Sequence, residues 1–364
     1  MIIQNIQLKD FRNFTNTQIN FSDTITILIG DNAQGKTNLL EAVYFLSTGR
    51  SHRISEDKMC IKHGCESASI KGRIKNTHAF DLKVILHPLG KSLFYQNQLQ
   101  RKSSEFIGKM NALMFSPSDM EVFAGSPKNR RRLIDLELGK INPIYMDLLS
   151  TYHKLLKDRN TYLKEKAIDD AYMEVLTQQM VEIQCELIRY KTAFINLIND
   201  KISGLFQKLE LSQQKISIRY FGPVPYSDEM HAQLSEKYNQ NLSRDKILKT
   251  TNVGIHRDEI GFLMDDSKVE FVASQGQMRM IVIALKCALV EVIEELTDEK
   301  PILLLDDVFS ELDKHHRKAL YSVLHQNTQT IISTTDLSYV EDWLNEDLKI
   351  WTIDKGEVIQ RSRV

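Results

Sequence analysis

Eight residues near the start of the chain and two near its end restrict the fold more than any other feature. Gly30-Asp31-Asn32-Ala33-Gln34-Gly35-Lys36-Thr37 fits the phosphate-loop pattern G-x-x-x-x-G-K-[ST]. A β-branched run, Thr24 to Ile29, precedes it, and a helical pattern with Leu39, Leu40, Val43 and Leu46 on one face follows it. In such a loop the glycines let the backbone turn until successive N–H groups point at phosphate oxygens. Lys36 is expected to reach the β and γ phosphates, the Thr37 hydroxyl to bind Mg²⁺, and the helix to add its positive N-terminal end. The metal also needs a carboxylate on a neighbouring strand. The apolar run Ile302 to Leu305 ends in Asp306-Asp307, which places Asp306 on Mg²⁺ and Asp307 where a water-activating carboxylate belongs. The alternative is an acidic pair at a helix start, since Ser310-Glu311-Leu312-Asp313 follows. Lys36 and Asp306 are 270 residues apart. Small kinases and GTPases join these strands within far fewer residues, so one site must here be assembled from both ends of the chain, around a large insertion.

The pattern between the two ends supports that division. Ile2, Ile6 and Leu8 alternate with polar residues, and residues from about 66 to 100 read as short antiparallel strands. From Pro143 to about Leu209 the chain is helical. Leu176, Met180, Ile183, Leu187, Tyr190, Phe194 and Leu197 form a seam with a 3.5-residue step, and Leu148, Tyr152, Leu155, Arg159 and Tyr162 suggest a partner helix. An antiparallel helical hairpin is expected, either as a protruding coiled coil of about 33 Å or as part of a packed bundle. A polar helical stretch runs up to about Leu248. The last hundred residues return to α/β alternation, with Ile302–Leu305 and Thr330–Ser333 as buried parallel strands. A terminal hairpin is expected around Asp354-Lys355-Gly356-Glu357.

Composition narrows the partners. Lys plus Arg is 47 against 48 Asp plus Glu, so any nucleic-acid surface must be a local patch. Four cysteines in 364 residues make no disulfide framework and suggest a reducing compartment. Cys60, His63 and Cys65 fit no zinc spacing. The first residues lack a signal-peptide pattern, and the most apolar stretch, Met280 to Ile293, is broken by Lys286 and Glu291. A cytoplasmic protein without a membrane span is expected.

Ser274-Gln275-Gly276-Gln277-Met278-Arg279 opens a helix with Ile281, Leu285, Leu289, Val292 and Ile293 on its apolar positions. Alone it would be a helix capped by Ser274. Between a phosphate loop and an Asp-Asp strand, it resembles the S-x-G-Q signature of ATP-binding-cassette ATPases. The whole chain resembles the RecF family of bacterial DNA replication and repair ATPases, related to the SMC proteins. Besides the motifs above, the resemblance rests on Leu8-Lys9-Asp10-Phe11-Arg12-Asn13-Phe14, Gly49-Arg50-Ser51-His52-Arg53, Phe115-Ser116-Pro117-Ser118-Asp119, Gly125-Ser126-Pro127 with Arg130-Arg131-Arg132, Gly254-Ile255-His256-Arg257-Asp258, and Leu303 to Asp313.

What the resemblance implies is an α/β, ABC-type P-loop ATPase head, at residues 1–117 plus 250–364, with a mainly helical second domain at 118–249. It implies a homodimer closed around two ATP molecules, with Ser274, Gly276, Gln277 and Arg279 acting in trans, Arg12 and Asn13 near the nucleotide, and Asp313 at the dimer interface. It implies a clamp on DNA at gap junctions between single and double strands, released by weak, DNA-stimulated hydrolysis, with RecR and RecO as partners in loading recombinase. The chain departs from the pattern at Thr334-Thr335-Asp336, where cassette ATPases carry a switch His, and no Gln stands near Ser116 to Asp119. Asp307 replaces the commoner Glu and Ile255 a usual Pro. These departures bear on the γ-phosphate sensor and the turnover rate, and slow hydrolysis is expected. For DNA, the candidates are Lys128, Arg130, Arg131 and Arg132, and the alternating Lys71, Arg73 and Lys75. The alternative for the arginine run is internal pairing with Asp135 and Glu137. Three rivals remain from other classes: a transporter's nucleotide-binding subunit, a cohesin-like SMC protein, and a monomeric P-loop metabolic kinase.

Overall fold

The computed structural model describes residues 1–210, 212–324, 328–343 and 348–361. The chain divides into two compact units, one of Met1–Met120, Leu205–Ser212 and Arg279–Val364, the other of Glu121–Gly204 and Gln213–Met278. Among the described residues no helix is long and apolar enough to cross a membrane.

The first unit contains two six-stranded sheets. One is antiparallel and comprises β1 (Ile2–Phe11), β2 (Phe14–Asn20), β4 (Ala68–Lys75), β5 (Ala79–His87), β6 (Gly90–Tyr95) and β7 (Gln98–Leu99), in the order β2-β1-β4-β5-β6-β7. Its strands alternate as a half-buried sheet should: Ile70, Gly72 and Ile74 of β4 and Leu82, Val84 and Leu86 of β5 are buried, and their neighbours are not. The other sheet comprises β3 (Ile25–Ile29), β8 (Ala112–Phe115), β12 (Ile302–Asp306), β13 (Thr330–Thr334), β14 (Leu348–Asp354) and β15 (Glu357–Arg361), in the order β15-β14-β3-β13-β12-β8. All its pairings are parallel except the terminal hairpin β14–β15. Every residue of β12 and β13 is buried, which is why these strands read as unbroken apolar runs.

Register explains how distant residues meet. Ile29 is level with Thr334, and Ser333 with Asp306, so β3, β13 and β12 end together. The phosphate loop follows β3 and leads into α1 (Lys36–Thr48), which packs on β12, β13 and the antiparallel sheet. Ligands of open α/β sheets sit at such carboxyl ends.

The second unit contains α2 (Pro127–Ile141), α3 (Pro143–Tyr162), most of α4 (Asp170–Glu210) and α5 (Met230–Leu248). The buried stripe of α4 runs Met173, Leu176, Met180, Gln184, Leu187, Lys191, Phe194, Ile198, Ile202, an average step of 3.6 residues. Ile183, Tyr190 and Leu197, which the 3.5-residue seam requires, are only half-buried. The helix therefore packs as a bundle member, and two polar side chains inside the stripe, Gln184 and Lys191, had disguised its period.

The unit boundary differs from expectation. Residues 250–278 group with the second unit, because β10 (Glu259–Met264) pairs with β9 (Ile216–Phe221) over six register positions and with β11 (Ser267–Lys268) on its other side. The division falls inside α6 (Gln275–Thr297), after Met278. A final helix, α7 (Lys314–Leu324), belongs to the first unit.

Candidate nucleotide site

The phosphate loop is held from two sides. Gly35 has φ 121°, a left-handed conformation, and a Cβ there would collide with Asn13. Asn13 donates to the Gln34 carbonyl (2.8 Å) and accepts from Asn38 (2.8 Å). The β14–β15 turn closes the other side, with the Lys355 amide donating to Gln34 Oε1 (2.7 Å) and the Gly356 amide to the Gln34 carbonyl (3.2 Å). A side chain at Gly30 would run into the Ile353 carbonyl. Asn13 thus shapes the loop, and the terminal hairpin, which carries no chemistry in its sequence, is part of its wall.

Lys36 is buried, 7% exposed, and its Nζ donates to the Gly30 and Asp31 carbonyls at 2.6 and 2.8 Å. Burial lowers its pKa, against the opposing pull of Asp307, Asp306 and Asp31. The ammonium is thus fixed over the loop, held by main-chain oxygens that phosphate oxygens would replace.

Thr37 and Asp306 meet as the spacing required. Thr37 Oγ1 donates to Asp306 Oδ1 at 2.9 Å, and Ser333 Oγ donates to the same oxygen at 2.7 Å. Ser333 also accepts from the Asp307 amide (3.0 Å). Sequence reasoning passed over this serine; its signal was a hydroxyl at the carboxyl end of an otherwise apolar strand. Burial raises the Asp306 pKa, against its hydroxyl donors and the charge of Arg53. Arg53 itself donates to Asn38 (3.2 Å). Asp307 has φ 52°, a left-handed position for a non-glycine residue. Its Oδ1 is buried with no hydrogen-bond partner. The Thr37 hydroxyl and the buried Asp306 carboxylate are oxygen donors of the kind a hard divalent cation such as Mg²⁺ takes, and the orphaned Asp307 oxygen lies next to them in sequence.

Other expected residues have different partners. Arg12, with φ 54°, forks onto Glu41 of α1 (2.8 and 2.7 Å) and donates to the Met59 carbonyl (3.2 Å). Glu41 is fully buried and also accepts from Ser51. Burial alone would raise the Glu41 pKa, but the hydrogen bonds from Arg12 and Ser51 outweigh it and hold the carboxyl below its ordinary range. Arg12 therefore braces α1 behind the loop. The signal was a glutamate inside the apolar stretch Leu39 to Leu46.

Ser274 and Gln277 form a reciprocal cap, Gln277 N donating to Ser274 Oγ (3.2 Å) and Ser274 N to Gln277 Oε1 (2.9 Å), with Gly276 between them. All three belong to the second unit, and the phosphate loop to the first. Arg279, expected to act in trans, is tied within its own chain: it donates to the Glu311 carbonyl and pairs with the Glu311 carboxylate, both at 3.0 Å. Asp313 is exposed and caps α7 through the His316 amide (2.9 Å). No Gln follows β8. There Ser116, which follows Phe115, the partner of Leu305, donates its amide to Asp119, which Lys286 of α6 pairs at 3.0 Å. In the run Thr334-Thr335-Asp336, where a switch His was expected, Thr334 turns its hydroxyl onto the Asp336 carbonyl (2.9 Å).

The basic candidates separate. Arg130 is buried, forked onto Glu259 (2.8 and 3.0 Å) and bonded to the Val122 carbonyl (3.0 Å), so it is a structural residue and the DNA assignment fails for it. Its partner is Glu259, 129 residues away, which proximity to Asp135 and Glu137 could not show. Arg131 is half-buried and donates to the Asp258 carbonyl (2.6 Å). Lys128 and Arg132 are exposed on α2. On β4, Lys71 and Arg73 both pair with Asp81, at 3.1 and 2.8 Å, and Lys75 is exposed.

The family described as RecF/RecN/SMC N terminal domain matches residues 2–357. A Lactobacillus johnsonii protein named DNA replication and repair protein RecF is 39% identical over 370 residues, 98% of this chain and 99% of its own length. The chain belongs to the RecF family. A Streptococcus pneumoniae RecF is 39% identical over 365 residues and 98% of both chains. Among solved structures, that of a recombination mediator RecF bound to ATP, described as part of the RecFOR pathway, superposes with TM-score 0.91 at 27% identity, over 99% of this chain and 97% of the other. An SMC head bound to the C-terminal winged-helix domain of ScpA reaches TM-score 0.57 at 18% identity and shares the fold alone. The ABC-type ATPase head and the RecF resemblance read from the sequence are thereby shown, and membership of this family of DNA replication and repair proteins displaces the transporter and metabolic-kinase rivals.

Proposed function

We propose that this RecF-family chain is an ATP-gated DNA clamp that works in recombinational repair and replication restart. The observation that carries the reading is the Thr37–Asp306–Ser333 hydrogen-bond cluster beside the orphaned Asp307 oxygen, in which Thr37 and Asp306 are 269 residues apart. ATP would lay its phosphates along the amides of Gly30 to Gly35, and the Lys36 ammonium would leave its two carbonyls for the β and γ oxygens. Mg²⁺, held by Thr37 and Asp306, would neutralise charge on those oxygens. Asp307 would orient the water that attacks the γ-phosphorus, giving ADP and phosphate. A carboxylate one methylene shorter than Glu, with Thr334-Thr335-Asp336 where a switch His is usual, supports slow turnover.

Ser274, Gly276 and Gln277 would meet the γ-phosphate of a second copy, making ATP the closure of a homodimer on DNA. Arg279 joins them only by exchanging Glu311 for that ligand. A relative's place in the RecFOR pathway supports RecR and RecO as partners. The test is ATP affinity by equilibrium binding of a fluorescent analogue. Lys36→Ala is expected to lose binding while the fold persists, and unchanged affinity would overturn the site.

A further inference from the structure

The outer face of the antiparallel sheet carries charge that folding does not explain. A complete row across its six strands, fixed by register, is Gln18, Gln7, Lys71, Lys83, Phe94 and Leu99. One register step away Lys9 lies level with Ser69, and Arg73 and Lys75 continue the outward side of β4. Within these strands the outward side thus has Lys9, Lys71, Arg73, Lys75 and Lys83 against one carboxylate, Asp81. Lys71 and Lys83 are directly opposite each other, and like charges so placed destabilise a sheet. Edge protection, the usual reason for lysines on a strand, does not apply, because β4 and β5 are interior strands. The opposite face of the same strands is buried on α1, so this face is the free one. Its remaining row members are two amides, the exposed Leu99 and one aromatic, Phe94, over which Lys83 sits at 5.9 Å.

We propose that this sheet face, and not the arginine run of α2, is where the chain meets the phosphate backbone of duplex DNA, with Asp81 as an internal competitor that occupies Lys71 and Arg73 until phosphates displace it. The inference rests on the DNA-binding reading above. Strands about 4.8 Å apart set cations at a spacing that long side chains adapt to phosphates along a groove edge, and the gain comes from released counterions. Amides such as Gln7 and Gln18 add sequence-independent hydrogen bonds. The Asp81 carboxyl sits between two cations at 3.1 and 2.8 Å, so neutralising it frees both.

The test is fluorescence anisotropy of a labelled duplex with the full chain and Mg·ATP, over about 50 to 200 mM salt. Lys71→Gln with Lys83→Gln is expected to weaken binding roughly tenfold and to make the salt slope shallower by about 1.8. Asp81→Asn is expected to tighten binding several-fold, a gain that misfolding does not produce. Lys128→Gln with Arg132→Gln on α2 is expected to leave the slope unchanged. If the wild-type chain bound no duplex, the DNA reading itself would fail. If it bound and the sheet variants matched it in affinity and slope, or Asp81→Asn weakened binding, the surface assignment alone would be overturned.

Discussion

In the second unit the buried guanidinium of Arg159 faces the buried carboxylate of Asp245 at 2.8 Å, donates to Thr251 at 2.7 Å and lies over the Tyr238 ring at 5.3 Å. Asp245 in turn accepts from the amide and side chain of Asn252, both at 2.9 Å. Nearby, Lys191 bridges Asp135 (3.0 Å) and Asp258 (3.6 Å), and His256 is bonded to Tyr152 (2.7 Å) and the Thr251 carbonyl (3.1 Å). In the first unit Asp306 and Asp307 stand side by side, Asp306 holding only hydroxyl donors and Asp307 an unpartnered oxygen. Both clusters are polar, buried and built from distant segments. One is neutralised by opposite charges of the chain in direct ion pairs; at the other, among the described residues, Asp306 is held by hydroxyl donors, and the charges of Lys36 and Arg53 act on it without a direct ion pair. Arg159 Nη2 and Asp258 Oδ1 of the second unit are also buried without a hydrogen-bond partner, so neither burial nor an orphaned atom alone distinguishes a site from a scaffold; the identity of the partners does.

The comparison breaks most visibly at Arg159. Arg159→Ala leaves Asp245 buried without its cation, and a loss of about 3–5 kcal/mol is expected, read as a large fall in the thermal or urea midpoint. An unchanged midpoint would mean that this network is not structural. At the other cluster Asp307→Asn is expected to lower the hydrolysis rate at least tenfold with the melting curve preserved, measured by phosphate release. Ser333→Ala is smaller still: about 1 kcal/mol of stability from the lost hydrogen bonds, with Mg²⁺ dependence of ATP binding shifted to higher concentration.

The second unit also carries a pH signature. Burial raises the Asp258 carboxyl to about 7, against Lys191 and the Tyr220 hydroxyl. Between about pH 4 and that value the folded chain keeps a proton that the unfolded chain has released, so stability falls as pH rises through the window. Asp258→Asn is expected to flatten that slope in urea titrations at several pH values. A persisting slope would assign it to another group.

The sequence made the nucleotide half legible because its chemistry is local. A phosphate loop needs Gly30, Gly35, Lys36 and Thr37 in one short stretch, and a buried strand announces Asp306 by the run before it. Ser333 stayed hidden because it meets Asp306 only through the β12–β13 register. Arg12 was placed by resemblance near the nucleotide, and the structure gives it Glu41, a partner 29 residues away that no periodicity singles out. Lys191 and Gln184 hid the 3.6-residue stripe because a polar residue inside a bundle is readable only once its partners are known. The boundary near 250 was misplaced because β9 has no partner in its own neighbourhood and finds one in β10.

In the proposed dimer, ATP joins two copies through the Ser274 cap of one and the phosphate loop of the other. Asp307→Asn protein, slowed in hydrolysis, is the form to weigh by light scattering with and without Mg·ATP. The expected result is a monomer that becomes a dimer only with nucleotide. A mass that stays monomeric even with gapped duplex added would contradict it and leave Ser274 to Arg279 as a capped helix start.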